Sequence, residues 1–199
     1  MRILILAWLL SGSGVLGATA QEKGHGEVPL FAVTPVESAI KFSVQASVAI
    51  QGTFEKWDAT LTFASADVTT AKLEIKIQAE SVNTGSGMKN NKLKGKDFFF
   101  VDENPLITFV SNKIIQTGPT SFEVDGDFTI RGVTKPEKLV LEVAGKGTGN
   151  GTVHGTMAFD RKDYGMNKGI PFIKIADRVE VTVNLRAKQV SGPRLVYKE

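Results

Sequence analysis

The sequence predicts an all-β protein, an antiparallel β-barrel of the up-and-down type with one short helical segment. Three observations support this fold class. Apolar and polar residues alternate along most of the chain, which is typical of strands with one buried face. Glycine- and proline-containing turns separate the alternating runs, and such short connections join antiparallel neighbours. One stretch, Ser86 to Phe99, lacks the alternation and has residues at helical spacing.

The number and spacing of the runs indicate how the strands are arranged. We expect about eight to ten strands from the count of alternating runs. All-β domains of this size close into a barrel or fold into a sandwich, because both arrangements protect the sheet edges. Short connections favour an up-and-down barrel over a Greek key. No linker divides the runs, so we expect one domain over residues 29–190 and a tail at 191–199.

The first twenty residues have the layout of a cleaved secretory signal peptide. One arginine precedes Ile3–Leu10, a short apolar stretch, and Ala18–Ala20 ends in the small-residue pattern found before a cleavage site. A transmembrane helix needs about 20 apolar residues, and Ser11–Gly14 interrupts this stretch early. We therefore expect a signal peptide at 1–20, a flexible leader at 21–28 and no stable membrane anchor. Cleavage near Ala20 would leave a periplasmic or secreted protein.

Each alternating run places its apolar residues on one parity and its charged residues on the other. Turn sequences mark boundaries at Thr117–Thr120, Arg131–Pro136 and Gly145–Gly151. The chain has 12 Phe, and we expect most of them to point into one tube. The apolar positions of the runs, in chain order, are Phe31, Val33, Ile40, Phe42, Val44, Leu61, Phe63, Leu73, Ile75, Ile77, Phe122, Val124, Phe128, Ile130, Leu139, Leu141, Val143, Val179, Val181, Val183 and Leu185.

The stretch without alternation predicts a short surface helix or a lid. Met88 and Leu93 fall at helical spacing, whereas Gly95 weakens a helix by about 1 kcal/mol relative to alanine. The apolar cluster Phe98–Phe100 follows. It either anchors the end of the helix in the core or lies at the mouth of a binding site. Phe99 and Phe100 are not expected to face the same way as Phe98, so part of the cluster is also a candidate dimer contact.

The composition excludes several kinds of site. The absence of Cys excludes a thiol nucleophile, a disulfide scaffold, a Cys-ligated metal and an acylated-cysteine anchor, and two His leave little room for a multi-His metal site. A formal charge of +3 with no basic face predicts no nucleic-acid partner. Asp125-Gly126-Asp127 lacks the closing Glu of a calcium loop. His154 is interpreted as a strand surface residue, and no catalytic residues or metal ligands are assigned.

Five stretches match a known family in order, and together they cover about residues 30–188, nearly the whole chain after the predicted signal peptide. They are Phe31–Val44, Ile50–Phe63, Ser81–Phe109, Val124–Pro136 and Phe159–Met166. The third and fourth stretches are the most specific. The third contains Leu93-Lys94-Gly95-Lys96-Asp97-Phe98-Phe99, and the fourth contains Asp125-Gly126-Asp127-Phe128-Thr129-Ile130-Arg131-Gly132-Val133-Thr134. In these stretches the chain resembles the YceI-like family of exported lipid-binding proteins.

The resemblance implies a lipocalin-like antiparallel β-barrel that the helical segment closes at one end. It implies an apolar tunnel for a long-chain lipid or isoprenoid, such as a quinone or a polyprenyl phosphate, bound as a ligand rather than as a cofactor. A carrier or sequestering role follows, with no enzymatic activity, and a homodimer is an option because some members are dimers. The expected tunnel-lining residues are Phe42, Val44, Phe54, Leu61, Phe63, Ile75, Ile77, Leu93, Phe98, Ile107, Phe109, Phe128, Ile130, Phe159, Tyr164 and Phe172.

Three residues are candidates for contacting the head group of such a lipid: Lys92, Arg161 and Tyr164. Members of the family often carry His where this chain has Lys92, and an ammonium group only donates hydrogen bonds. Two alternatives stay open. The first is a ligand-free barrel that serves as an interaction or stress-response module, because small barrels are either filled by side chains or hold one ligand. The second is an enzyme acting on a lipid, which would need positioned titratable groups.

Overall fold

The chain forms one antiparallel sheet of eleven strands, with one α-helix, in the part that the computed structural model describes, residues 27–47, 49–169 and 174–199. The predicted signal peptide, most of the leader and Phe172 lie outside these residues. The elements are β1 Leu30–Val33, β2 Ala39–Ala46, β3 Ile50–Phe54, β4 Trp57–Phe63, β5 Ala71–Gln78, β6 Val82–Asn83, α1 Gly87–Lys94, β7 Leu106–Gln116, β8 Ser121–Ile130, β9 Val133–Ala144, β10 Asn150–Asp160 and β11 Ile175–Ser191.

The sheet curls into a barrel because its last strand returns to its first strands. The hydrogen-bonded order is β4-β5-β7-β8-β9-β10-β11-β2-β3-β6, so neighbours follow chain order around most of the circumference. The long strand β11 pairs with β10 on one side. On its other side, residues 175–184 pair with β2 and residues 187–191 pair with β1. This arrangement confirms the all-β, antiparallel, up-and-down fold class.

One line of the barrel, which we call the seam, lies between β3 and β4. The ladder of hydrogen bonds ends at β4 on one side and at β6, beside β3, on the other. Backbone bonds at the turn link the two sides, with Glu55 N donating to Ser81 O at 3.1 Å and Gln78 N donating to Lys56 O at 2.9 Å. At the opposite end of β4, the Phe31 ring packs 5.6 Å from the Phe63 ring. Side-chain packing between β1 and β4 therefore closes this end of the seam.

The alternation in the sequence corresponds to an apolar interior and a charged exterior. In the described residues, nine phenylalanines are buried: Phe42, Phe54, Phe63, Phe98, Phe99, Phe109, Phe122, Phe128 and Phe159. Strand β5 shows the pattern clearly, since Leu73, Ile75 and Ile77 are buried while Lys72 and Lys76 are exposed. Burying such side chains stabilises the fold by about 1.5–3 kcal/mol each. Most of the described phenylalanines therefore point into the interior.

The short helix α1 lies where the alternation stops. Ser86 caps its first turn, its Oγ accepting a hydrogen bond from Lys89 N. Leu93 is the one buried residue of this polar helix. The chain then turns back, with Phe99 N donating to Leu93 O at 2.9 Å, and the side chains of Phe98 and Phe99 both enter the interior. Our expectation that they face different ways was wrong, because this segment is a series of turns rather than an extended strand.

Among the described residues, no helix has both the length and the apolar character needed to cross a membrane.

Candidate functional site

Among the described residues, two apolar cavities line up in the interior, one toward each end of the barrel. The helix cavity lies beside α1, with Leu93, Phe98 and Phe99 in its wall, and has an empty volume of about 670 Å³. The strap cavity lies at the other end, with Phe63 and Phe122 in its wall, and has an empty volume of about 1100 Å³ including its open mouth. Both volumes include open solvent at the cavity mouths, and most of the residues that line each cavity are apolar.

A middle layer of buried side chains lies between the cavities. It comprises Ile75, Phe109, Val124 and Met157, which are buried and line neither of the two cavities. Phe109 packs directly on Gly126, where an added Cβ would lie 2.6 Å from Phe109 Cζ. The interior is thus two cavities in series rather than the single tube that we expected, because this layer fills the centre of the barrel.

The predicted lining residues fall into three groups. Those in the wall of the helix cavity are Phe42, Val44, Phe54, Ile77, Leu93, Phe98, Ile107, Phe128, Ile130 and Phe159. Leu61 and Phe63 lie in the wall of the strap cavity, whereas Ile75 and Phe109 belong to the middle layer. Sequence reasoning did not select Phe99 or Met166, which line the helix cavity. Neither lies in an alternating run, so periodicity carried no signal for them.

Tyr164 lies beside the helix cavity rather than in its wall. It is fully buried between the rings of Phe128 and Phe159, with centroids 5.5 and 5.2 Å away. Its hydroxyl donates to Glu137 Oε1 at 2.8 Å. Burial, with the neighbouring Glu137 carboxylate, raises the pKa of the Tyr164 phenol strongly. Tyr164 is therefore a neutral donor that joins the turn after β10 to strand β9.

Arg161 lines the helix cavity, but its donors are already used within the protein. The guanidinium carries five N–H donors. Nε donates to Ala176 O at 3.2 Å, Nη1 to Lys168 O at 2.9 Å and to Met166 O, and Nη2 to Asp177 Oδ1 at 2.9 Å. The side chain itself is 7% exposed. Arg161 therefore fastens the segment after β10 to the start of β11.

Lys92 has a local partner as well. Its Nζ donates to Asp97 Oδ2 at 2.7 Å and lies 5.8 Å from the centroid of the Phe98 ring. The hydrogen bond from Lys92 lowers the pKa of the Asp97 carboxyl. Lys92 and Asp97 are both partly exposed, and Lys92 lines neither of the two cavities. The pair links the end of α1 to the turn that carries Phe98.

The last residues of the chain cross the mouth of the strap cavity. Strand β11 extends to Ser191, one residue into the predicted tail, and we call the remaining residues, 192–199, the strap. Val196 exchanges backbone hydrogen bonds with the segment before β5, donating to Ala66 O at 2.8 Å and accepting from Val68 N at 3.0 Å. The Gln116 side-chain amide also binds both backbone groups of Lys198. Leu195 and Tyr197 line the cavity. No pattern in the sequence indicated this closure.

No group of three or more His, Cys, Asp or Glu side chains is placed to hold a metal ion in residues 27–47, 49–169 and 174–199.

Comparison with known sequences identifies the family. A family model described as the YceI-like domain matches residues 31–187. A UPF0312 protein of Pseudomonas savastanoi pv. phaseolicola is 31% identical over 124 residues, 59% of this chain and 64% of that protein. Protein YceI of Shigella flexneri is 32% identical over 98 residues, 49% of this chain and 51% of that protein. The matches thus span less than two thirds of these relatives.

Solved structures share the fold. Burkholderia cenocepacia BcnA has a TM-score of 0.71 at 26% identity and covers 78% of this chain and 99% of its own. The YCEI protein of Campylobacter jejuni has a TM-score of 0.59 at 25% identity, and the match covers 71% of this chain and 86% of that protein. A polyisoprenoid binding domain from Saccharophagus degradans is similar in fold alone. It has a TM-score of 0.61 at 14% identity, and the match covers 81% of this chain and 99% of that domain. The family model spans most of the chain, and the chain therefore belongs to the YceI-like domain family.

Proposed function

We propose that this protein binds an isoprenoid or a similar long-chain lipid inside its barrel, as an exported carrier or sequestering protein. The observation that carries the proposal is the pair of apolar cavities in a YceI-like barrel. The shared fold of the polyisoprenoid binding domain from Saccharophagus degradans supports the ligand class. Export rests on the predicted signal peptide.

The cavity walls favour binding of a chain over chemistry on it. Each CH₂ group that moves from water to such a wall stabilises the complex by about 0.8 kcal/mol. A prenyl chain therefore needs a dry, apolar lining and few polar contacts. The charged residue in the helix cavity, Arg161, already donates to protein acceptors. In the helix cavity this arrangement supports binding rather than acid–base catalysis, which needs an available titratable group.

A second candidate function has one observation in its favour. The middle layer fills the centre of the barrel, and Phe109 rests on Gly126 without room for a further methyl group. A packed centre is what a ligand-free interaction module would have. The two functions differ in whether a lipid chain is held at all.

Lipid extraction distinguishes the two functions. The protein is purified from its native compartment, extracted with organic solvent, and the extract is analysed by mass spectrometry. We expect a prenyl or other long-chain lipid at near one molecule per chain. Val44→Phe, in the wall of the helix cavity, should reduce the yield of lipid, whereas Val140→Phe, a matched change on the exposed face of β9, should not. A clean extract with no uptake of added geranylgeraniol would refute lipid binding and favour the interaction module.

A further inference from the structure

The two ends of the interior differ in whether their polar groups are available. Near the helix cavity, Lys92 is bonded to Asp97, and Tyr164 is bonded to Glu137. The donors of Arg161 are directed to backbone oxygens and to a carboxylate. A ligand that needed these groups would first have to break hydrogen bonds within the protein. The helix end is therefore poorly suited to a charged head group.

The strap end carries two cations, Lys146 and Arg194, in the wall of its cavity, with no acidic residue among the described lining residues. Lys146 Nζ lies 4.5 Å from the centroid of the Tyr197 ring, a cation–π contact that holds the ammonium over the strap. Within the described part of the chain, neither cation forms an ion pair. The positive charge at this mouth is thus free of a protein counter-ion.

Each of the two segments that carry these cations contains a glycine in the left-handed backbone region. Gly145, before Lys146, has φ +84°, and a Cβ there would lie 2.2 Å from Asn150 O. Gly192, two residues before Arg194, also has φ +84°, and a Cβ there would lie 2.2 Å from Val28 O. Only glycine fits either position without a shift of the backbone. The turn and the strap therefore each depend on a glycine close to the residue that carries the charge.

We propose that this mouth is the head-group site of a single-chain amphiphile with an anionic head, a carboxylate or a phosphate monoester, whose chain enters the strap cavity. The assignment rests on the proposed lipid-binding function and names the end at which the head group lies. Lys146 supplies a compact charge, and Arg194 supplies a planar donor fork suited to two oxygens of one anion. The apolar wall beneath them, which includes Phe31, Phe63 and Phe122, receives the chain.

Matched ligands test the assignment. Geranylgeranyl monophosphate and geranylgeraniol share one chain and differ in the charge of the head, and their affinities are measured by calorimetry on the full-length mature protein. We expect the phosphate to bind about tenfold more tightly, because two exposed cations each contribute at most a few-fold. The preference should fall with added salt. Lys146→Gln with Arg194→Gln should abolish the preference for the phosphate over the alcohol. Lys41→Gln with Lys72→Gln, two exposed outward positions, is the matched control.

The other outcomes are equally distinct. The assignment would be overturned if the wild-type protein bound the phosphate and the alcohol with equal affinity. It would also be overturned if Lys92→Gln lost the preference for the phosphate while the double variant of Lys146 and Arg194 kept it. Inorganic phosphate that binds as tightly as the prenyl phosphate would also overturn it, because the site would then recognise a free ion rather than an amphiphile. Failure of both lipids to bind would instead refute the proposed function.

Discussion

Replacing Arg161 tests whether this residue is a structural fastener or a ligand for a head group. In Arg161→Met the side chain keeps its apolar stem but loses its donors. Four acceptors then each lose one hydrogen bond: the oxygens of Met166, Lys168, Ala176 and Asp177. Met166 is buried, and water reaches its carbonyl poorly. The fastener role predicts a loss of folding stability, whereas a head-group role predicts a loss of ligand preference.

The size of the effect follows from the burial of those acceptors. Leaving one buried acceptor unpaired costs about 1–3 kcal/mol, and breaking a buried charged contact costs about 3–5 kcal/mol. Because the Asp177 side chain is 35% exposed, we expect the low end, about 3 kcal/mol. For a domain of this size that corresponds to a fall in Tm of about 6–12 °C.

Urea unfolding followed by Trp57 fluorescence measures the loss. The control is Arg178→Met, where the arginine is 69% exposed and lies 3.4 Å from Glu180, so its removal should change the free energy of unfolding by less than about 0.5 kcal/mol. The prenyl-phosphate preference should be the same in both variants. If Arg161→Met were as stable as the control and yet lost that preference, the fastener role would be refuted.

Three further changes test other parts of the structure. Gly126→Ala places a methyl group 2.7 Å from a backbone oxygen and should lower the free energy of unfolding in urea by about 1–3 kcal/mol. Gly87→Ala, which has open space around it, is the control and should leave that free energy unchanged or raise it by up to about 1 kcal/mol. Equal stabilities of the two variants would contradict the close packing at Gly126. The hydrogen bond from Lys162 holds the pKa of Asp177 below its usual 3.8, so the Asp177 carboxylate stabilises the fold above pH 3.8 and this contribution is lost as the pH falls through the lower pKa of the folded state. The difference in unfolding free energy between wild type and Asp177→Asn should therefore close in that acid range. A difference that stays constant with pH would contradict the role of the ion pair. Phe109→Ala should destabilise the fold by about 3–5 kcal/mol and lengthen the longest prenyl alcohol that binds, an extension that would be missing if the middle layer did not limit the chain.

The wall of the barrel was predictable because strand alternation records burial directly. Leu73, Ile75 and Ile77 alternate with lysines and glutamate in the sequence and face inward in the structure. The helix was predictable for the opposite reason, since the alternation stops at Ser86 and resumes beyond Phe99.

The alternation could not predict how far along the barrel axis each inward-facing residue lies, nor the contacts made outside the strands. Parity puts Ile75 and Ile77 on the same face, but only the packed structure places Ile75 in the middle layer and Ile77 in a cavity wall. Three of the four acceptors of Arg161 are backbone oxygens, which have no sequence signature. The strap has no periodicity at all, so its place over the cavity emerged only from its hydrogen bonds with Ala66, Val68 and Gln116.

The seam between β3 and β4 determines how the barrel can change its girth. In a fully bonded barrel, strand number and stagger fix the diameter, because widening would break a complete ladder. Here the ladder of the described strands ends on either side of that line, while β7 to β11 form continuous pairs. Splitting the seam would break the two backbone hydrogen bonds at the turn and the Phe31–Phe63 contact, but it would leave those ladders intact. Any change in the girth of the barrel is therefore expected along the seam, where fewer backbone hydrogen bonds would break than between the paired strands.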